Sequence, residues 1–243
     1  MLWETRLVAL ARAAATVAVN SPLIRPWQAH RLRSLVAAAP QGKVRLNLGC
    51  GGRPFAGWIN IDLLPSSPGP DVLLDLCRAM PLPDQTVDLI YSEDVLEHLT
   101  LPDGKRLLRE CHRILVPGGT MRLLTPNLRV LAEDYVDRSQ RFLAWYGSQY
   151  GTRYFAEILN HGMRAWGHRF VYDDEMLTRE LAIVGFDVEA QAMNKSDCAG
   201  LRGLDREDRQ EARYRMYLDC TKHCADGHHG APSVMNSHQI RSP

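Results

Sequence analysis

The chain has few of the features that mark membrane-spanning or secreted proteins. None of its apolar runs reaches about 18 residues, the usual minimum for a membrane-spanning helix. Its first apolar segment, 7–19, is interrupted by Arg12 and lacks the layout of a signal peptide. The six cysteines are scattered along 243 residues, without the density of a disulfide scaffold. We therefore expect a cytoplasmic protein with no transmembrane segment.

The chain also lacks a strong excess of charge of either sign. Its formal net charge is +1, with 45% hydrophobic and 23% charged residues, as in ordinary globular proteins. No nucleic acid is expected as a partner, because nucleic-acid binders carry a strong basic footprint. The basic residues concentrate at the start, where seven Lys or Arg precede Leu46 against a single acid, Glu4. Residues 1–43 are predicted to form a basic helical extension, which either packs on its domain or contacts an anionic membrane surface or a partner.

From Val44 onward, short apolar runs alternate with longer helical segments. Strands are predicted at VRLNLG, GWINID, DVLLDL, TVDLIYSE and GTMRLLTP, and later at DVEAQAM and RYRMYLDCTK. A helix is predicted in LPDGKRLLRECHRILVPGG, where the helical spacing includes Leu115 and Pro117-Gly118-Gly119 ends it. Another is predicted in YDDEMLTRELAIVGF, where Gly185 ends it. This alternation predicts an α/β fold with a doubly wound, mostly parallel seven-stranded sheet over residues 44–222. The polar segment 223–243 is predicted to be disordered.

One segment breaks the alternation of strands and helices. Nine of the chain's eighteen aromatic residues crowd between Phe142 and Tyr172. Residues 128–170 are predicted to form a helical insertion after the fifth strand, called the cap below. Two roles stay open and compatible: a small subdomain with its own core, and a cover over a ligand pocket.

A glycine-rich turn follows the first predicted strand in RLNLGCGGRPFAGWINIDL. Gly49, Gly51 and Gly52 allow a ligand to approach the backbone closely, and Asp62 ends the next strand. This arrangement indicates a nucleoside ligand whose ribose hydroxyls bind Asp62. The dinucleotide fingerprint needs a third glycine where this chain has Pro54, so a nicotinamide-dependent oxidoreductase is disfavoured.

In its ordered series of motifs, the segment 44–222 resembles the class I S-adenosylmethionine-dependent methyltransferases, of the broad type 11 group. The motifs are LNLGCGG, INIDL, LLDLCRAMPLPDQTVDLIYSEDVLEHL and ILVPGGTMRLLTPN. The resemblance implies a Rossmann-like methyltransferase fold and S-adenosyl-L-methionine as cofactor. Because the link between the glycine turn and Asp62 is short, the first helix of that fold is expected to be shortened. The resemblance further implies these cofactor-binding residues: Asn47, Gly49, Cys50, Gly51, Asp62, Leu63, Asp75, Leu76, Ser92 and Glu93.

Within that set the resemblance also implies roles for individual residues. The glycines contact the methionine part of the cofactor, Asp62 holds the ribose, and Asp75 faces the adenine. Ser92 and Glu93 lie near the sulfonium. Asn47 departs from the family, which commonly has Asp or Glu at this position.

The segment SEDVLEHL holds the main candidates for chemistry. If it continues as a helix, then Asp94, Glu97 and His98 share one face at spacings i, i+3 and i+4. Three hypotheses stay open. Asp94 caps the helix while Glu97 and His98 form a structural pair; His98 is the general base for a hydroxyl acceptor; or the three hold a divalent metal. A metal is not expected.

Further candidates lie in the cap segment HGMRAWGHRF. His161 and His168, with Arg164 and Arg169, either face the substrate or anchor the cap. Their spacing of seven places both histidines on one helical face, but Gly162 and Gly167 favour a loop.

Together these patterns predict an enzyme. Methyl transfer from S-adenosylmethionine to a small-molecule, glycan-like or secondary-metabolite acceptor, with a hydroxyl as one candidate nucleophile, is the expected activity. Nucleic acid as the acceptor is disfavoured, because Ser92-Glu93-Asp94 stands where amino-methylating enzymes of this fold carry Asn/Asp-Pro-Pro-aromatic. The alternative is a non-catalytic S-adenosylmethionine-binding scaffold or sensor.

Overall fold

The computed structural model describes residues 2–40, 43–207 and 212–223. Among them the helices are α1 (Leu2–Val19), α2 (Ile24–Ala38), α3 (Leu101–Ile114), α4 (Leu128–Val136), α5 (Gln140–Tyr150), α6 (Phe155–Arg164) and α7 (Asp174–Val184). The strands are β1 (Arg45–Leu48), β2 (Ile59–Asp62), β3 (Val72–Leu73), β4 (Val87–Glu93), β5 (Leu115–Pro126), β6 (Phe186–Ala190) and β7 (Arg215–Lys222). None of the described helices is both long and apolar enough to cross a bilayer. The predicted disordered tail lies outside the described residues from residue 224 on.

The described strands form one seven-stranded sheet in the order β3-β2-β1-β4-β5-β7-β6. Strands β1 to β5 pair in parallel, whereas β7 runs antiparallel to both of its neighbours, β5 and β6. The order reverses at β1 and β4, so their carboxyl ends form the crevice where ligands bind in open α/β sheets. The predicted doubly wound, mostly parallel sheet is confirmed.

The main core lies between the sheet and its flanking helices. Leu46, Leu48 and Ile90 are completely buried on the central strands β1 and β4. Helix α3 buries one apolar stripe, including Leu108 and Ile114, against the sheet. The side chain of Thr100 accepts a hydrogen bond from the N–H of Asp103 and so caps the helix.

Several predicted elements have different bounds in the structure. Strand β3 is limited to Val72–Leu73, much shorter than the predicted DVLLDL. Strand β5 begins at Leu115, so Pro117-Gly118-Gly119 lies inside the strand rather than in a turn before it. In the described segment 49–58, between β1 and β2, no helix forms. The link of ten residues is too short for a full α-helix between parallel strands.

The cap contains α4, α5 and α6 and has a small core of its own. Phe142 and Tyr146 of α5 are buried there with Leu131, Ile158 and Tyr214. The insertion leaves and rejoins the sheet domain at adjoining positions, because the N–H of Leu128 donates to the carbonyl of Tyr172 at 2.8 Å.

A buried charge network fixes the segment between β6 and β7. The guanidinium of Arg122, on β5, is completely buried and pairs with Asp205 at 2.5 Å and Asp219 at 3.0 Å. Asp219 also accepts a hydrogen bond from Ser196 at 2.6 Å. These long-range pairs hold the irregular segment 191–207 against strands β5 and β7 of the sheet.

Candidate active site

The glycine turn at the end of β1 packs directly against the segment that follows β4. Gly49 has a φ of +69°, and a Cβ placed there would lie 2.2 Å from Val95 Cγ2. At Gly51 and Gly52 a Cβ would meet no described atom within 4 Å, so the turn leaves open space on its outer side. Glycine is therefore required at 49 for packing, while 51 and 52 leave room for a ligand.

Asp62 and Asp75 end the next two segments at the same edge of the sheet. Asp62 accepts hydrogen bonds from the N–H of Gly51 at 2.8 Å and of Leu64 at 2.9 Å. Asp75 accepts from the side-chain amide of Asn20, which directly follows α1, at 2.7 Å. Each carboxylate keeps lone pairs for a further donor, because its two oxygens offer about four acceptor positions.

The other predicted cofactor residues take different positions around this edge. Asn47 is buried and donates its amide to Asn60 Oδ1 at 3.0 Å and to the carbonyl of Arg53 at 3.2 Å, so it stabilises the turn. Cys50, Leu76 and Ser92 are buried, and Leu63 is half-buried. Burial, together with the charges of Asp62 and Asp71, raises the pKa of the Cys50 thiol to about 12. Glu93 is bound by Arg53 and Arg215 at 3.3 Å and 3.1 Å.

The expected helix over SEDVLEHL is absent from the described chain, where only a 3₁₀ turn at Leu96–His98 forms. Asp94 has a φ of +56° and no helix-capping hydrogen bond; it pairs with Arg215 at 2.7 Å instead. The predictions of a shared helical face and of a cap at Asp94 are therefore wrong. The left-handed backbone at Asp94 breaks the helical path, and the ion pair with β7 offsets that strain.

Glu97 is the most deeply buried acid of the site. Its Oε2 accepts a hydrogen bond from Thr125 at 3.1 Å, and its Oε1 has no hydrogen-bond partner among the described residues. Burial, and secondarily the charge of Asp94, raises the pKa of this carboxyl well above its usual range. Its backbone carbonyl accepts from the N–H groups of Arg169 at 2.7 Å and Phe170 at 3.2 Å, which brings the end of the cap to the site.

His98 and His168 meet beside Glu97. Their ring centroids lie 5.1 Å apart, and one ligating atom from each of Glu97, His98 and His168 lies within 4.8 Å of the other two. His168 Nδ1 donates to the carbonyl of Gly162 at 2.9 Å, which leaves its Nε2 with a lone pair. Burial and the charge of Arg12 lower the pKa of His98 to about 4, and burial also lowers that of His168.

Arg12 of α1 reaches into the same cluster. Its guanidinium donates to His98 Nδ1 at 3.1 Å and interacts electrostatically with Asp62 and Glu97. Helix α1 also packs against the 3₁₀ turn Ala165–Gly167. The helix therefore spans from the glycine-turn edge to the cap.

A cavity of about 510 Å³ opens between this cluster and the cap. Its polar end is formed by Asp94, Glu97, His98, His168 and Arg215, and its aromatic wall by Trp145, Tyr146, Tyr150, Trp166 and Tyr214. The cap thus combines the two roles left open by its sequence: it has its own core and it walls a cavity. Trp166, with a φ of +55°, is a strained non-glycine residue at the rim.

The cap candidates are divided between the cavity and the surface. His161 lies in α6, and its ring centroid is 4.4 Å from that of Tyr150 and 4.8 Å from that of Trp166. His168 instead follows the 3₁₀ turn Ala165–Gly167. The two histidines therefore do not share one helical face. Arg164 and Arg169 are exposed. Arg12, Arg215 and Tyr214 had no local sequence signal, because they reach the site from the two ends of the chain.

Comparison with known proteins finds a family match that includes part of this site. A family described as "Methyltransferase domain" matches residues 62–123, which run from Asp62 through the Glu97–His98 turn into β5. This stretch, about a quarter of the chain, is similar to a methyltransferase domain. The match includes Asp62 and Asp75, and three residues of the polar end of the cavity, Asp94, Glu97 and His98.

Two mycobacterial proteins share a short stretch of sequence with this chain. A probable S-adenosylmethionine-dependent methyltransferase of Mycolicibacterium smegmatis is 44% identical over 48 residues, which are 20% of this chain and 18% of that protein. One of Mycobacterium tuberculosis strain H37Rv is also 44% identical over 48 residues, 20% of this chain and 17% of its own length. The chain thus matches less than a fifth of the length of each relative.

Solved structures of similar proteins cover more of the chain. A SAM-dependent methyltransferase from Archaeoglobus fulgidus is 18% identical, with a TM-score of 0.47, and covers 82% of this chain and 94% of its own. One from Mesorhizobium loti is 20% identical, with a TM-score of 0.45, and covers 79% of this chain and 97% of its own.

Proposed function

We propose that this protein transfers a methyl group from S-adenosylmethionine to a small acceptor bound in the cavity beneath the cap. The observation that carries the proposal is the contact between Gly49 and Val95. It joins a glycine turn with open space to the polar end of a cavity of about 510 Å³. A nucleoside on one side of this contact and an acceptor on the other would meet within reach of Glu97 and His98.

The residues at the glycine-turn edge fit a nucleoside cofactor. The open space at Gly51 and Gly52 admits its amino-acid part, and Asp62 and Asp75 retain acceptor capacity for ribose hydroxyls and an adenine amine. The bound cofactor would supply an electrophilic methyl group on a sulfonium. We assign the ribose to Asp62 and the adenine to Asp75, as the sequence resemblance implies. We assign to Asn47 the role of stabilising the glycine turn.

The cavity fits an acceptor with an apolar, ring-containing body and a polar group at one end. The aromatic wall would exclude water and hold the body, while the polar end would orient a hydroxyl. Transfer to a hydroxyl releases its proton, which the polar end takes up. Because His98 is bound by Arg12 and adjoins Glu97 and His168, these groups act together rather than His98 acting alone as the base.

The proposed location is the cytoplasm, with contact to an anionic membrane surface through the corner between α1 and α2. The described cysteines Cys50, Cys77, Cys111, Cys198 and Cys220 are free thiols, which supports a reducing compartment. At the corner, Leu23 is 88% and Trp27 57% exposed, beside the exposed basic Arg25. Nucleic acid is not a proposed partner, since the net charge is only +1.

Calorimetric titration with S-adenosylhomocysteine tests the proposal, because this product binds whether or not the acceptor is known. Asp62→Asn keeps the shape of the side chain and removes its charge. We expect binding to weaken about 10- to 100-fold, the value of a hydrogen bond to a charged group. Asp187→Asn, at an exposed acid on β6, is the matched control and should bind as the wild type does.

Two outcomes would contradict the proposal. Folded wild-type protein that binds no S-adenosylhomocysteine would exclude the cofactor. Equal affinity in the Asp62→Asn and Asp187→Asn variants would exclude this site. Binding without turnover in a broad acceptor screen would favour the scaffold or sensor hypothesis.

A further inference from the structure

We propose that Glu97, His98 and His168 form a binding site for a divalent first-row transition-metal ion at the polar end of the cavity. Binding of the ion itself is independent of the proposed methyl transfer. Its use in orienting an acceptor oxygen rests on that function.

The first argument is the convergence of lone pairs. Arg12 donates to His98 Nδ1 and Gly162 accepts from His168 Nδ1, so His98 Nδ1 and His168 Nε2 both carry lone pairs. Glu97 Oε1 is buried and has no hydrogen-bond partner among the described residues. Ligating atoms of the three residues lie within 4.8 Å of one another. A cation bound between these three residues would be attracted to an acceptor atom of each.

The second argument is the support behind each ligand. Thr125 donates to Glu97 Oε2 at 3.1 Å, and the carbonyl of Gly162 fixes the His168 ring at 2.9 Å. The His98 ring also has a backbone hydrogen-bond partner in Gly167. Metal-binding side chains in proteins are commonly oriented by hydroxyls and backbone carbonyls of this kind. These hydrogen bonds to Glu97 Oε2 and His168 Nδ1 therefore fix the positions of the remaining atoms, Glu97 Oε1 and His168 Nε2.

The third argument is that the chain itself places a cation here. The guanidinium of Arg12 lies 3.1 Å from His98 Nδ1 and interacts with the charge of Glu97. A metal ion would take this position, and Arg12 would withdraw with its long side chain. Contacts with the 3₁₀ turn Ala165–Gly167 and the hydrogen bond of Asn20 hold α1 itself in place.

The ligand set selects the type of metal. Two imidazole nitrogens and one carboxylate oxygen suit Zn²⁺, Fe²⁺, Co²⁺ or Ni²⁺ better than Mg²⁺ or Ca²⁺, which prefer oxygen ligands. Metal–ligand distances of about 2.0–2.2 Å require only that the three side chains draw closer. Three protein ligands would leave a coordination position open, and all three residues line the cavity. An oxygen of the acceptor can occupy it.

Titration with Co²⁺ tests the site by the visible absorption of the bound ion, without cofactor or acceptor. The chain also contains Cys224, His228 and His229, which can bind metal elsewhere, so the titration uses the Cys224→Ser/His228→Gln/His229→Gln background. We expect one Co²⁺ ion to bind per chain, with a visible absorption band typical of a low coordination number. Zn²⁺ should displace this ion, and Mg²⁺ should not.

Substitutions in this background locate the ion. Glu97→Gln, which preserves shape, and His168→Ala should each weaken Co²⁺ binding by about tenfold or more. His112→Ala is the control, because this half-buried histidine lies on α3 outside the cluster. It should leave the affinity for Co²⁺ unchanged. Arg12→Gln should tighten binding, because it removes the competing cation. Far-UV circular dichroism verifies that each variant is folded.

The proposal is overturned if the folded background protein binds no Co²⁺, or if Glu97→Gln and His168→Ala bind it as tightly as His112→Ala does. Unchanged affinity in Arg12→Gln would overturn the assignment of Arg12 as the competing cation. Since no nucleoside is present, failure here leaves the S-adenosylhomocysteine result untouched.

Discussion

At the scale of single residues, Gly49 forms the contact between the glycine turn and the segment after β4 that leads to the cavity. We expect Gly49→Ala to destabilise the protein by about 3 kcal/mol, from a left-handed backbone costing 1–2 kcal/mol and overpacking against Val95. The measurement is the free energy of unfolding in urea.

Gly203 provides the matched control for this substitution. Its φ of +72° is close to the +69° of Gly49, but a Cβ there would meet no described atom within 4 Å. Gly203→Ala should therefore cost only the backbone part, about 1–2 kcal/mol. Equal losses in the two variants would show that the contact with Val95 is not tight.

Individual residues of the site were predictable to different degrees. Asp62 is the last residue of β2, so the local pattern alone predicts its place at the carboxyl edge of the sheet. The conformation of Asp94 was not predictable, because Arg215 reaches it from a strand 121 residues away. The approach of His168 likewise depends on backbone hydrogen bonds from the cap to Glu97, which leave no mark on the local sequence.

At the scale of secondary-structure elements, α1 lies across the edge proposed for the cofactor. Asn20 binds Asp75, and Arg12 interacts with Asp62, the two acids assigned to adenine and ribose. A nucleoside that uses these acids has to replace both contacts.

We therefore expect Asn20→Ala to tighten S-adenosylhomocysteine binding by up to about tenfold, since one hydrogen bond to a charged group no longer has to be broken. Leu10→Ser, at an exposed position of α1, should leave the affinity unchanged. Both are measured by calorimetry. Weaker binding in Asn20→Ala would mean that α1 closes over the nucleoside and contributes contacts to it.

The elements themselves follow the sequence closely where hydrophobic periodicity is strong. Strands β1, β2 and β4 are buried, and helices α3 and α7 are amphipathic, so each was predicted near its observed bounds. The segment 191–207 was not predictable in the same way. Its position depends on Arg122 pairing with Asp205 and Asp219, which join parts of the chain far apart in sequence.

At the scale of the whole molecule, the corner between α1 and α2 is the surface we propose for a membrane. Leu23 and Trp27 are exposed there although both are large and apolar, and Arg25 adds positive charge. Apolar and basic side chains on one exposed corner favour an anionic lipid surface.

Sedimentation with lipid vesicles tests this surface. The full chain should sediment with vesicles containing phosphatidylglycerol and less with pure phosphatidylcholine vesicles, and salt should weaken binding. Leu23→Ser/Trp27→Ser should reduce binding by about tenfold or more, as burial of one such side chain is worth 1.5–3 kcal/mol. Ile183→Ser, at an apolar residue of α7 that is 71% exposed, should bind normally. Equal binding by the two variants would exclude the corner.

The cap starts and finishes at neighbouring points, joined by the hydrogen bond between Leu128 and Tyr172. An excursion whose ends adjoin can be lengthened, shortened or transplanted while the flanking strands keep their places. The entropic penalty of closing such an excursion grows only slowly with its length. Residues 128–170 are thus a replaceable module, and a chimaera that exchanges them as one block would inherit a new cavity wall while Tyr172 keeps its place in the main core.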